Sequence, residues 1–139
     1  MSIDITPAPH EDPALELLRP YLTEAVLALH NAGVTVVRSW LDPSGPRDAT
    51  IVLADGRALV WDEETGWRVG PYVAGEQGVR TVLADAVHLG GGVLPVPSEV
   101  VWRLLAGITG SCVKYRAHDE NPAAFDAVVR ALAPARVLA

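Results

Sequence analysis

Between Trp61 and Trp67 the chain reads WDEETGW, a run of three acids between two tryptophans. Carboxylates at this density could hold a divalent cation, or work as a paired acid and base. Either role requires oxygens that converge on one point or flank a cleft. Apolar runs stand on both sides of the stretch, so it reads as a hairpin tip, which splays its side chains; the run also lacks the spacing of a calcium loop. In a four-residue loop Gly66 supplies positive φ, Asp62 bonds the turn backbone, Thr65 does so more weakly, and Glu63 and Glu64 point into water. This register opposes Asp62 to Trp67 and Trp61 to Arg68. It predicts tryptophans on opposite faces of the sheet, with Trp61 stacked under the Arg68 guanidinium. Trp61, Glu63, Glu64, Trp67 and Arg68 are therefore candidate partner-binding residues rather than metal ligands or catalytic acids.

A second stretch, LGGGVLPVP over residues 89–97, invites comparison with a phosphate loop. It lacks the Gly-Lys-Ser/Thr ending, and no helix comes directly after its glycines. It reads as a tight crossover stiffened by prolines. Bare backbone at Gly90, Gly91 and Gly92 would still let a ligand approach closely. With His88 beside them, these are the candidate ligand-binding residues, and Asp85 or Asp55 could pair with His88 as a catalytic dyad. The four histidines are otherwise scattered, with neither an HExxH nor an HxxxH spacing. His30 suits a helix C-terminus. The single cysteine, Cys112, cannot build a disulfide framework or a zinc site alone and sits in no nucleophile signature. Ser98 and Ser111 lack a nucleophile elbow. No catalytic residue, metal or cofactor is expected.

The chain has 139 residues, half of them apolar and a fifth charged, with a formal net charge of −6. That composition fits a single folded domain. An acidic chain without a basic run argues against nucleic acid as a partner. Arg103, Lys114, Arg116, Arg130 and Arg136 in the last third read as solvated helix faces. The N-terminus has no basic and apolar regions of a secretory signal, and no apolar run is long enough to span a membrane. With the lone cysteine, these features point to a cytoplasmic protein.

The elements that must position these residues emerge from periodicity. Residues 1–11, with prolines at 7 and 9, read as a flexible arm, and 12–139 as one α+β domain. Leu15, Leu18, Leu22, Val26 and Leu29 form one apolar stripe, with Asp12 a cap and Gly33 the stop. Pro20 predicts a short turn, then a helix from about Pro20 to Ala32. Residues 34–42 read as a strand and 43–48 as a turn. Asp55-Gly56 reads as a two-residue type I′ turn, which sets Leu53 against Ala58, Val52 against Leu59 and Ile51 against Val60. The return from WDEETGW is a strand over 66–73, and 79–89 reads as another. Pro97–Ile108, with Ser98 as a possible cap, and the segment that Asn121-Pro122 opens, 122–133, read as helices. The fold expected is a meander of about five antiparallel strands with an N-terminal helix and two C-terminal helices.

The two motifs together, DGRALVWDEETGW and then HLGGGVLPVPSEVVWRLL, resemble a family of small actinobacterial proteins known only as a domain of unknown function. That family is similar in its N-terminal YL-A-A-type helix, its LLWDEEHGW and its YLGGD-LP-P. The resemblance covers residues 21–108. His88 stands where the family usually has an aromatic, and Gly92 where it often has an acid. The resemblance implies one compact domain and brings no reaction.

In the expected register the sheet is apolar on both faces. Ile51, Leu53, Val60, Trp67 and Val69 line one; Val52, Leu59 and Trp61 line the other. Helices cover one face, so the second must meet the C-terminal helix, another subunit or a partner. The leading expectation is a non-enzymatic domain that works by protein contact, as an adaptor or by self-association. The alternative is a small-molecule binder or hydrolase with a pocket between His88 and residues 90–97.

Overall fold

The computed structural model describes residues 5–41 and 44–132. The ends of the expected first strand, arm, last helix and domain, and Arg136, lie partly or wholly outside the described residues. The elements run α1 (Pro13–Glu16), α2 (Arg19–Asn31), β1 (Val36–Leu41), β2 (Asp48–Leu53), β3 (Arg57–Asp62), β4 (Gly66–Glu76), β5 (Val79–Leu83), β6 (Val87–His88), α3 (Pro97–Leu105) and α4 (Pro122–Ala131). The architecture is α+β, as the periodicity predicts.

Prolines set the helix starts. The four helices among the described residues carry proline in their first two positions, where no backbone donor is needed. Asp12 caps α1 by accepting from the Ala14 N–H. Pro20 breaks the apolar stripe into α1 and α2 without interrupting burial: Leu15, Leu18, Leu22, Val26 and Leu29 are all core residues. Each such side chain contributes roughly 1.5–3 kcal/mol on burial. Ser98 does not cap α3; Val96 holds that position and makes no side-chain cap bond. From the arm, Ser39 Oγ donates to the Ile5 carbonyl, which ties residue 5 to β1.

The sheet is antiparallel in the order β1-β2-β3-β4-β5, with β6 on the same edge of β4 as β5. Both hairpin registers differ from the expected ones by one residue. Val52 pairs with Ala58 and Ile51 with Leu59, so Ala54-Asp55-Gly56 is a three-residue loop that ends in positive φ. Trp61 pairs with Trp67 and Asp62 with Gly66, leaving 63–65 as the second loop. A glycine at positive φ that closes a type I turn favours three-residue loops over two. A one-residue slip exchanges faces for one strand of each pair. Ala49, Ile51, Leu53, Leu59, Trp61, Trp67 and Val69 consequently share the face covered by α2 and α3.

The second face is covered by the chain itself, though not by the C-terminal helix. β4 is long and turns back with β5, and the hairpin folds over β2. Trp40, Val52 and Ala58 pack there with Tyr72 and Leu83. Thr50 and Thr81 share a buried hydrogen bond of 2.6 Å, and Arg80 reaches Asp48 at 2.6 Å. Gly70 permits the curl, since a Cβ there would lie 2.6 Å from the Ala84 carbonyl oxygen. The single strand expected over 79–89 is two strands, because Asp85 adopts a φ of 46° between them.

Candidate functional site

The two motifs meet in space, and the contacts between them are hydrogen bonds from the tryptophans. Trp61 and Trp67 are each 1% exposed. Trp61 Nε1 donates to the Val93 carbonyl at 2.6 Å. Trp67 Nε1 donates to Tyr21 Oη at 3.1 Å, and Tyr21 Oη donates onward to the Pro95 carbonyl. The Tyr21 ring centroid lies 6.1 Å from that of Trp61 and 6.3 Å from that of Trp67. Burial drives the Tyr21 phenol well above its usual pKa, so it stays a donor. The loop over 90–97 is thus a clamped structure, with its interior side filled by α2 and the β3–β4 hairpin.

Gly90, Gly91 and Gly92 all have positive φ, which places bare backbone against its neighbours. Arg103 packs against the first two: a Cβ on Gly91 would lie 2.7 Å from Arg103 Nε, and one on Gly90 3.3 Å from Nη1. Arg103 is fixed by Glu99 Oε2 at 2.8 Å and donates to the Leu89 carbonyl at 3.0 Å. The Gly92 N–H donates to Tyr115 Oη at 3.3 Å. Arg103 therefore occupies the approach at Gly90 and Gly91, and Tyr115 takes the Gly92 N–H.

The acids of the turn each have separate work. Asp62 Oδ1 accepts from the Glu64 and Thr65 N–H groups, and its Oδ2 from Arg68 at 2.9 Å. Arg68 lies on the face opposite Trp61, so no cation–π stack forms between them. Glu63 does not point into water; it is 2% exposed. Its carboxylate accepts from Arg47 at 2.8 Å and lies 3.3 Å from Arg116. Glu64 accepts from the His118 backbone N–H at 2.7 Å and lies 2.9 Å from its Nδ1; these two contacts, hydrogen bonding first, hold its carboxyl below the usual range. The turn is an ionic clasp for the C-terminal segment. Nothing in the local sequence marks Arg47 and Arg116 as partners of Glu63, because they lie 16 and 53 residues away.

Sequence reasoning misses a polar cluster as well. Asp48, Asp62, Arg68 and His88 share the second face: Asp48 pairs with Asp62, and Arg68 with His88. His88 meets neither Asp55 nor Asp85 in a hydrogen bond or ion pair. Burial, and then the charge of Arg68, hold the His88 imidazole below its usual pKa, while Asp62 acts oppositely. Burial raises the Asp48 carboxyl to about 6 against the opposing pull of Arg80. Asp48 Oδ1 and His88 Nδ1 are buried and make no hydrogen bond to protein atoms. This cluster brings acid–base groups together on one face, and Cys112 is exposed. Among the described residues no group of three or more His, Cys, Asp or Glu side chains could hold a metal ion.

The outer side of α3 stands open. The helix buries Val100 and Leu104, yet Trp102 is 56% exposed and Leu105 60%. The two are three residues apart and so lie side by side on one helix face.

No helix among the described residues is long and apolar enough to cross a membrane. Comparison with curated proteins finds no match, and comparison with solved structures finds none. A family model matches residues 21–106, from the start of α2 to the residue that ends α3. That span holds both motifs, the clamp between them and all six described strands, and it is over half of the chain: the protein belongs to the Family of unknown function (DUF6292).

Proposed function

We propose that this domain works by protein contact, and that its contact surface is the outer face of α3 rather than the WDEETGW turn. The observation that carries the reading is the exposure of Trp102 and Leu105. The apolar arc of α3 runs from Val100 and Leu104 through Val101 to Leu105 and Trp102, wider than one packed side requires. A tryptophan more than half in water, beside an exposed leucine, is the residue type that dominates protein interfaces. The motif tryptophans cannot serve in this way while they are buried and bonded to the loop. Glu63 is likewise committed to Arg47. The ligand-binding alternative at His88 and Gly90–Gly92 draws less support, because Arg103 and Tyr115 already lie against those glycines.

The test is affinity capture by the tagged chain from lysate of its own cells, beside a Trp102→Ala/Leu105→Ser variant. A stoichiometric protein, a second copy included, that the variant loses would support the α3 surface. The same proteins held by both forms, or none held by either, would remove it and return weight to a small molecule.

A further inference from the structure

The family match ends at Ala106, the residue that caps α3. Beyond it, the C-terminal segment attaches to the domain differently from the elements before it. Residues 109–115 run exposed over the surface. They touch down at Gly110, whose N–H donates to the His88 carbonyl at 2.7 Å, and at Tyr115, whose N–H donates to the Glu64 carbonyl at 2.8 Å. α4 then lies on the domain without the close backbone packing that joins α2 to α3. Side chains hold it. Phe125 and Val129 are buried, and Asp126 Oδ1 accepts from Arg47 Nη2 at 2.8 Å. The Arg116 guanidinium sits 4.0 Å over the Phe125 ring and also reaches Glu63.

We propose that the place where α4 lies, floored by Arg47 and Glu63, is a docking groove for a short amphipathic helix, and that α4 is its tethered occupant, exchangeable for a partner helix of the same pattern. This surface is separate from the outer face of α3 and does not depend on it. The seated helix itself states the chemistry of the partner. An aromatic side chain enters the groove, a carboxylate comes next, and an aliphatic side chain lies one turn on, as Phe125, Asp126 and Val129 do. Charge makes the groove selective. Arg47 is 5% exposed and divides its guanidinium between Glu63, Asp126 and the Ala14 carbonyl. A helix without the acid leaves part of a buried cation unpaired, which is strongly unfavourable. The exposed run of residues 109–115 is the tether. It keeps α4 at high effective concentration, so an outside helix enters when α4 is weakened.

The experiment uses the full chain and a fluorescein-labelled peptide of residues Lys114–Leu132, read by fluorescence anisotropy. The full-chain variant Phe125→Ala/Val129→Ala should bind the peptide at least about tenfold more tightly than the unaltered chain, whose groove is filled. Asp126→Asn in the peptide should weaken that binding by about tenfold or more. Hydrogen exchange on the variant should show α2 and β2–β4 still protected and α4 released. The proposal is overturned if the variant binds no peptide while those elements stay protected, or if both chains bind it equally. It is also overturned if the variant loses protection throughout, since the fold would then require α4, whose Phe125 and Val129 join the core cluster.

Discussion

Trp61 and Trp67 stand directly opposite each other across the β3–β4 ladder, on the helix-covered face, and both indole N–H groups are spent on holding the loop over residues 90–97. Trp61 reaches it directly, while Trp67 works through Tyr21. The two motifs are one structural unit, and the consequences for single substitutions are distinct at each position.

Trp61→Phe keeps most of the apolar volume and leaves the Val93 carbonyl without its donor. A buried acceptor stranded in this way costs about 1–3 kcal/mol, and this partly buried one should fall at the low end. Trp61→Ala adds a cavity and should cost about 3–5 kcal/mol. Urea unfolding monitored by circular dichroism measures both, and equal losses for the two variants would mean that packing is irrelevant there.

Glu63→Ala leaves Arg47 and Arg116 facing each other's charge beneath α4, and Arg47 is buried. Removing one member of a buried pair costs about 3–5 kcal/mol. Glu64→Ala touches only the more exposed His118 and Lys114 contacts and should cost far less. Thermal melts of the two variants side by side check the order.

Asp48 should make the protein less stable as pH rises from about 4 to about 6. Its folded carboxyl titrates near 6 and an unfolded one near 3.8, so in that window the folded state binds more protons and deprotonation favours unfolding. Asp48→Asn should flatten this part of the pH profile. It should raise stability at pH 7 by up to about 3 kcal/mol, less whatever the lost Arg80 contact costs, with the gain gone below pH 4. Melting temperatures from pH 3.5 to 8 would show the crossover. A variant profile parallel to that of the unaltered chain would contradict it.

Gly66 and Gly92 both adopt positive φ, but only one is crowded. A Cβ on Gly66 would lie 2.5 Å from the Gly92 carbonyl oxygen, whereas nothing lies within 4 Å of a Cβ on Gly92. Gly92→Ala should cost only the backbone strain, about 1–2 kcal/mol. Gly66→Ala should cost clearly more, because backbone must move where the turn meets the loop. Paired urea midpoints decide between them.

The helix starts were legible because proline and Asp12 punctuate them, and the strand order because apolar runs alternate with turns. The registers were not: Asp55-Gly56 is compatible with loops of two or three residues, and the choice moves Leu59 and Trp61 to the other face. The cover on the second face was hidden too, since β4 and β5 read as an ordinary hairpin, and the close approaches at Gly70 and Gly75 show only in the fold. Of the candidate site residues, the sequence marked a turn and a loop that the structure brings together through Trp61, Trp67 and Tyr21. It could not show that Glu63 would be buried by Arg47 and Arg116, because nothing local pairs residues so distant in the chain. Nothing in the sequence distinguishes Trp102 from the other apolar residues of its helix; its exposure in the fold does.

The roles of the tryptophans separate most directly in unfolding free energy and protein capture for Trp61→Ala and Trp102→Ala, measured together. Trp102→Ala should stay within about 0.5 kcal/mol of the unaltered chain, as surface substitutions do, and lose its captured protein. Trp61→Ala should lose several kcal/mol. A Trp102→Ala variant that captures the same proteins, or that unfolds as easily as Trp61→Ala, would contradict a contact surface on α3.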